Sequence, residues 1–218
     1  MKSLIWIFLL SYISVYPTES QEVFKFLKEN KDMIDNKMQS QGNEEKAIAM
    51  AIVAPEVSQF STIFDALEMQ TLFIFYLNSG KSDFSVGLFQ MKPSFIENLE
   101  RFISKNKSLK KKYHYLLPKG SERDKRRFRL KQLSTLEGQL EYLSLFLDIC
   151  KTKTSEINFK DDKDRLRYWA TLYNSGLNLT HDQVIGMQGK TLFPHFSSKF
   201  NYADVALEFY PGIKDLFR

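Results

Sequence analysis

The sequence predicts a mostly α fold, and three observations predict it. Gly and Pro are scarce, at 9 and 6 in 218 residues, while Leu, Phe, Lys and Glu abound. Apolar residues recur at helical spacing along most of the chain. Strand-like alternation is weak everywhere.

Taken in order, residues 1–20 read as a secretory signal peptide. They carry Lys2, an apolar stretch from Leu4 to about Val15, and then small polar residues, with a cut expected near Gln21. The run is too short and interrupted to span a bilayer, which takes about 20 apolar residues. The expectation is an exported protein, periplasmic or extracellular, without a stable membrane anchor. Residues 21–42 read as an N-terminal helix or appendage with apolar Val23, Phe24, Leu27, Met33 and Ile34, broken at Gly42-Asn43.

Asn43 followed by Glu44 and Glu45 reads as a helix start, an N-cap with acids in the first turn. The run "EKAIAMAIVA" is apolar nearly all round, so this helix is expected to be central and buried. Pro55 has no N–H for the helical ladder and is expected to end or kink it, just where Glu56 appears. "STIFDALEMQTLFIFYL" reads as the next helix, closed by Asn78-Ser79-Gly80. "SFIENLERFIS" restarts a helix with Ser94 as a cap. "STLEGQLEYLSLFLDICKTK" and "KDRLRYWATLYNSGLN" are two further helices. The tail "FNYADVALEFYPGIKDLF" is a last one, ended by Pro211-Gly212.

Charge is uneven. The net formal charge is +5, and Lys105 to Lys131 holds twelve Lys or Arg against Glu122 and Asp124. This tract reads as a solvated, partly irregular basic insertion, 105–131, that suits an anionic envelope polymer. Export argues against nucleic acid. The lone Cys150 excludes an intrachain disulfide and reads as a core thiol. Three His residues without metal-ligand spacing give no zinc site, and no cofactor is implied.

Glu56 is the first candidate for chemistry. A carboxyl directly after a long buried apolar run loses solvation, which favours its neutral form and raises its pKa. A carboxyl still protonated near neutral pH is what a general acid for glycosidic cleavage requires. The other reading is an ordinary helix-end Glu that reaches solvent. The second odd feature is "VGLFQMKPSF", residues 86–95, where a Gly, a Gln and a Pro interrupt helical sequence. It is either a plain loop or the wall of a site.

Four fragments stand in one order: "AIAMAIVAPEVS", "GLFQMKPS", "EGQLEYL" and "ATLYNSG". In that order they resemble the lytic transglycosylase branch of the lysozyme-like superfamily, over roughly Ala47 to Gly176. The resemblance implies a lysozyme-like helical domain over 43–218 that cleaves peptidoglycan glycan strands. It implies Glu56 as the single acid and base, with Ser58, Gly87, Phe89, Gln90, Tyr173 and Asn174 binding or orienting substrate. One carboxyl group then suffices, unlike in two-carboxylate glycosidases. Two departures stand out. Val57 separates Glu56 from Ser58 where the family's Ser follows the Glu directly. The Glu-to-Gln spacing is also long, which makes Glu68 the alternative acid, or a second carboxylate favouring hydrolysis. A non-catalytic relative that keeps the groove, and a secreted helical interaction protein, are the other readings.

Overall fold

A computed structural model describes residues 16–59, 66–81, 83–191, 193 and 200–218. Among these residues the fold is all-α, with no strand. The helices are α1 (Tyr16–Glu29), α2 (Lys31–Lys37), α3 (Asn43–Gln59), α4 (Ala66–Ser79), α5 (Pro93–Lys105) and α6 (Lys107–Tyr113). A 3-10 turn (His114–Leu116) follows, then α7 (Glu122–Leu133), α8 (Leu136–Lys153), α9 (Asp162–Ser175), α10 (His181–Met187) and α11 (Tyr202–Leu216). The first fifteen residues of the expected signal segment lie outside the described residues, and Tyr16 to Ser20 form the first turn of α1.

Helix α3 is the axis. Every residue from Lys46 to Pro55 is buried, and α11, α9, α1 and α8 pack around it. Its apolar surface on all sides explains this position, because a helix with no polar face is stable only when surrounded. Each large apolar side chain so covered contributes roughly 1.5–3 kcal/mol. Most remaining helices gather around α5 and α8, with α6 and α7 on α5, α2 on α8 and α4 on α7, while α10 packs on α9.

Several local expectations are corrected. Pro55 does not end α3, which runs on to Gln59. Pro55 offers no N–H to the Ala51 carbonyl, so one rung is lost. The Tyr202 hydroxyl donates to the next carbonyl, that of Ile52, at 2.8 Å, and dense packing holds the helix across the gap. Pro211 likewise sits inside α11, which continues to Leu216. There Gly212 meets the Phe24 ring so closely that an added Cβ would stand 2.6 Å from it.

Helix α5 begins at Pro93, the residue best suited to a first helical position. Ser94 is therefore inside the first turn, and its N–H is capped by the Asp83 carboxylate at 3.2 Å. The N-terminal segment is two helices broken near Asn30, and Val23, Leu27, Ile34 and Met38 belong to the core.

Most cations of the basic tract are exposed, but the tract is largely helical and also contributes to the core. Leu109, Tyr113, Leu116 and Leu130 are buried in the common core. Arg129 is buried too, and its guanidinium forks onto Glu100 (Nε–Oε1 2.8 Å, Nη2–Oε2 2.6 Å) and reaches Glu97 at 2.9 Å. Arg126 donates to the carbonyls of Tyr76 and Leu77, both at 3.2 Å. A cation there satisfies the free carbonyls at the C-terminal end of α4.

Candidate functional site

Glu56 lies one residue past Pro55 in the last turn and a half of α3, half-buried. Burial pushes its carboxyl up to about 7. The Lys92 ammonium and hydrogen bonding by Tyr202 pull in the opposite direction without cancelling the effect. The surroundings explain the size of the shift. Tyr173 and Tyr202 stack at 6.3 Å, Phe193 stands edge-on to Tyr202 at 5.0 Å, and Phe95 and Phe146 close on Tyr173 at 5.3 and 5.4 Å. Both tyrosine hydroxyls are raised well above the ordinary value, by burial first and then by the charge of Glu56. The acid thus faces an aromatic wall assembled from α5, α8, α9 and the start of α11.

The stretch 86–91 is a small closed turn. Val86 and Met91 exchange both backbone hydrogen bonds, at 3.0 and 3.2 Å. Gly87 (φ 72°) and Gln90 (φ 48°) both take left-handed backbone angles. Two outside groups fix the turn. Gln139 of α8 accepts from the Phe89 N–H at 2.8 Å, while its amide nitrogen donates to the Leu133 carbonyl at 2.9 Å. Tyr173 of α9 donates to the Phe89 carbonyl at 2.7 Å. Three of the four quoted fragments are therefore joined at one residue, and the fourth supplies Glu56 beside Tyr173.

The expected roles of individual residues change in this geometry. Phe89 does not present its ring to a cleft: it is 0% exposed and packs edge-on against Phe26 at 6.4 Å. Gly87 is approached by protein, because an added Cβ would stand 2.1 Å from the Gln139 amide and 2.7 Å from the Leu133 carbonyl. Gln90 turns its amide back onto the Gly87 carbonyl at 2.8 Å. Ser58 returns its hydroxyl to the Pro55 carbonyl at 2.8 Å. Tyr173 is a buried strut between α9 and the turn, and Asn174 is exposed beside it. Asn174 lines a narrow crevice with Thr171, Met187, Asn201 and Tyr202. Glu68 is on α4, but its side chain lies outside the described residues.

Three residues that carry the site have no mark in the sequence. Tyr202 lies beyond the region of resemblance, on α11. Gln139 stands inside a quoted fragment, yet nothing local shows that it reaches fifty residues back. Lys92 looks like any surface lysine. Among the described residues no group of His, Cys, Asp and Glu is arranged to hold a metal ion, and no helix is long and apolar enough to cross a membrane. No family model, no curated protein and no solved structure matches the chain.

Proposed function

We propose that the protein is an exported peptidoglycan-cleaving enzyme of lytic-transglycosylase type, with Glu56 as its acid and base. One observation carries the reading: a carboxyl raised to about 7 at the end of the buried helix α3, against the Tyr173–Tyr202 wall. At neutral pH a large share of such a group is protonated, whereas an ordinary Glu is almost wholly ionised.

In this reading the Glu56 carboxylic acid protonates the bridging oxygen between N-acetylmuramic acid and N-acetylglucosamine. The C1–O bond breaks, and the electron pair leaves with the N-acetylglucosamine hydroxyl. Glu56, now a carboxylate, takes the proton from the muramyl 6-hydroxyl, whose oxygen closes on C1 to give the 1,6-anhydro ring. The acid is restored and no water is consumed. Lys92 favours the carboxylate of the second half-reaction, and burial favours the acid of the first.

A second reading, a non-catalytic glycan-binding relative, rests on the inward hydrogen bonds of Gln90 and Ser58. Digestion of purified sacculi followed by mass spectrometry separates the readings. Anhydro-ended muropeptides from the wild type and none from Glu56→Gln support the transglycosylase. Reducing ends indicate a lysozyme-like hydrolase. Sacculus binding without products indicates the binding relative. Activity that survives Glu56→Gln and is lost in Glu68→Gln moves the acid to Glu68.

A further inference from the structure

We propose that the groove between the segment 114–119 and helix α7 is a binding site for an anionic sugar, separate from Glu56 and independent of its chemistry. The groove has a volume of about 600 Å³ and is lined by His114, Tyr115, Lys119, Asp124, Arg127, Phe128 and Lys131 among others. That volume falls within the roughly 300–1,000 Å³ of sites that hold small molecules.

The charges of α7 are divided between two sides. Arg126 and Arg129 turn inward, to the end of α4 and to Glu97 and Glu100. Lys125 is paired with Glu122 at 2.6 Å. Arg127 and Lys131 are left one helical turn apart on the groove side, both exposed. Like charges at this spacing weaken a helix slightly, so the fold gains nothing from the pair.

Asp124, the acid on the groove wall, is already engaged. Its carboxylate accepts from the Ser121 hydroxyl at 2.6 Å and from the Ser121 N–H at 3.2 Å. It stands 3.6 Å from Arg127, too far for a good hydrogen bond. Lys119 and Lys131 have no ion-pair partner among the described residues. Three cations thus face a concave wall with one occupied carboxylate, and such a wall concentrates positive potential.

The remaining feature is Tyr115. Its ring is set by His114 edge-on at 6.2 Å and by Tyr113 at 6.4 Å, yet the residue is 51% exposed. An uncovered aromatic face suits the C–H face of a pyranose, and Arg127 offers the paired donors that phosphate or carboxylate oxygens accept. A nucleic-acid strand needs successive parallel aromatic platforms along a basic track, whereas the two exposed rings of this groove, Tyr115 and His114, stand perpendicular to each other at 87°. The arrangement fits a single sugar carrying phosphate or carboxylate.

Titration of the full chain, followed by calorimetry and amide chemical shifts, tests the assignment. The probes are glucose 1-phosphate, tri-galacturonic acid, uncharged maltotriose and an oligothymidylate. Binding of either anionic sugar, with shifts at Tyr115, Lys119 and Lys131, is expected, and which of the two binds tells phosphate from carboxylate. Arg127→Gln with Lys131→Gln weakens that binding by about tenfold or more, and Tyr115→Ala by several-fold. Lys105→Gln with Lys111→Gln, the same charge loss outside the groove, changes it less than about twofold. Equal loss in both double variants, equal binding of maltotriose, preference for oligothymidylate, or no binding overturns the proposal.

Discussion

The Tyr173 hydroxyl donates to the Phe89 carbonyl at 2.7 Å, across 84 positions of sequence. With Gln139 on the Phe89 N–H, it leaves neither backbone group of a fully buried residue unpaired. The turn 86–91 is therefore a fixed piece of the core rather than a surface loop. The same tyrosine also feels the charge of Glu56, so α9 links the turn to the surroundings of the acid.

Removal of the acid is the first test. Glu56→Gln keeps the shape and removes the proton that can be given and taken. If the proposed activity is its function, the expected loss of muropeptide release from sacculi is roughly 10²–10⁴-fold. Unchanged far-ultraviolet circular dichroism separates this loss from misfolding.

The same residue makes stability depend on pH. Its folded pKa of about 7 lies above the ordinary 4.5. Its contribution is therefore fully present below about pH 4.5 and is lost as pH rises through about 7. The shift corresponds to about 3 kcal/mol at most. Wild type is expected to fall relative to Glu56→Gln between pH 4.5 and 8 in denaturant melts, and a constant difference would contradict the shift.

Lys92 tunes the acid without touching the core. Lys92→Gln removes the cation that holds the Glu56 pKa down, so that pKa is expected to rise. The alkaline limb of the activity profile then moves to higher pH. Carbon-detected NMR titration of the Glu56 carboxyl gives the same answer independently of activity.

Gly87 and Gln139 test the turn. Gly87→Ala brings a methyl group against Gln139 and the Leu133 carbonyl at a left-handed φ, and is expected to cost about 1–3 kcal/mol or more. Gln139→Leu strands the Phe89 N–H, at about 1–3 kcal/mol. The two changes share one contact, so the double variant is expected to lose less than the sum in urea denaturation.

Arg129 tests whether the basic tract belongs to the core. Arg129→Leu leaves Glu100 buried without its partner, and a loss of about 3–5 kcal/mol is expected. Glu100 is already raised by burial despite Arg129. The variant should therefore regain part of its stability as pH falls and Glu100 takes up a proton. Lys111→Gln, on the exposed side of α6, is expected to stay within about 0.5 kcal/mol.

The helical class was legible because local patterns carry it: the apolar run of α3, the stop at Asn78-Ser79-Gly80, and the scarcity of Gly and Pro elsewhere. Neither Pro55 nor Pro211 ends its helix. A proline removes one backbone bond, and sequence does not show that Tyr202 donates to the neighbouring carbonyl or that Gly212 admits Phe24. Within the basic tract, charge count alone does not reveal that Arg129 meets Glu100 inside the core.

The sequence by itself determined that a buried helix leads into Glu56 and that a Gly-Leu-Phe-Gln turn interrupts the helical pattern, because burial and turn chemistry are written in neighbouring residues. Only the tertiary structure decided what surrounds the acid and what the turn does. Tyr202 reaches Ile52 from 150 positions away, and Gln139 and Tyr173 close on Phe89 from two different helices. Such contacts depend on how helices cross, and crossing is set by packing of whole faces rather than by any local run of residues.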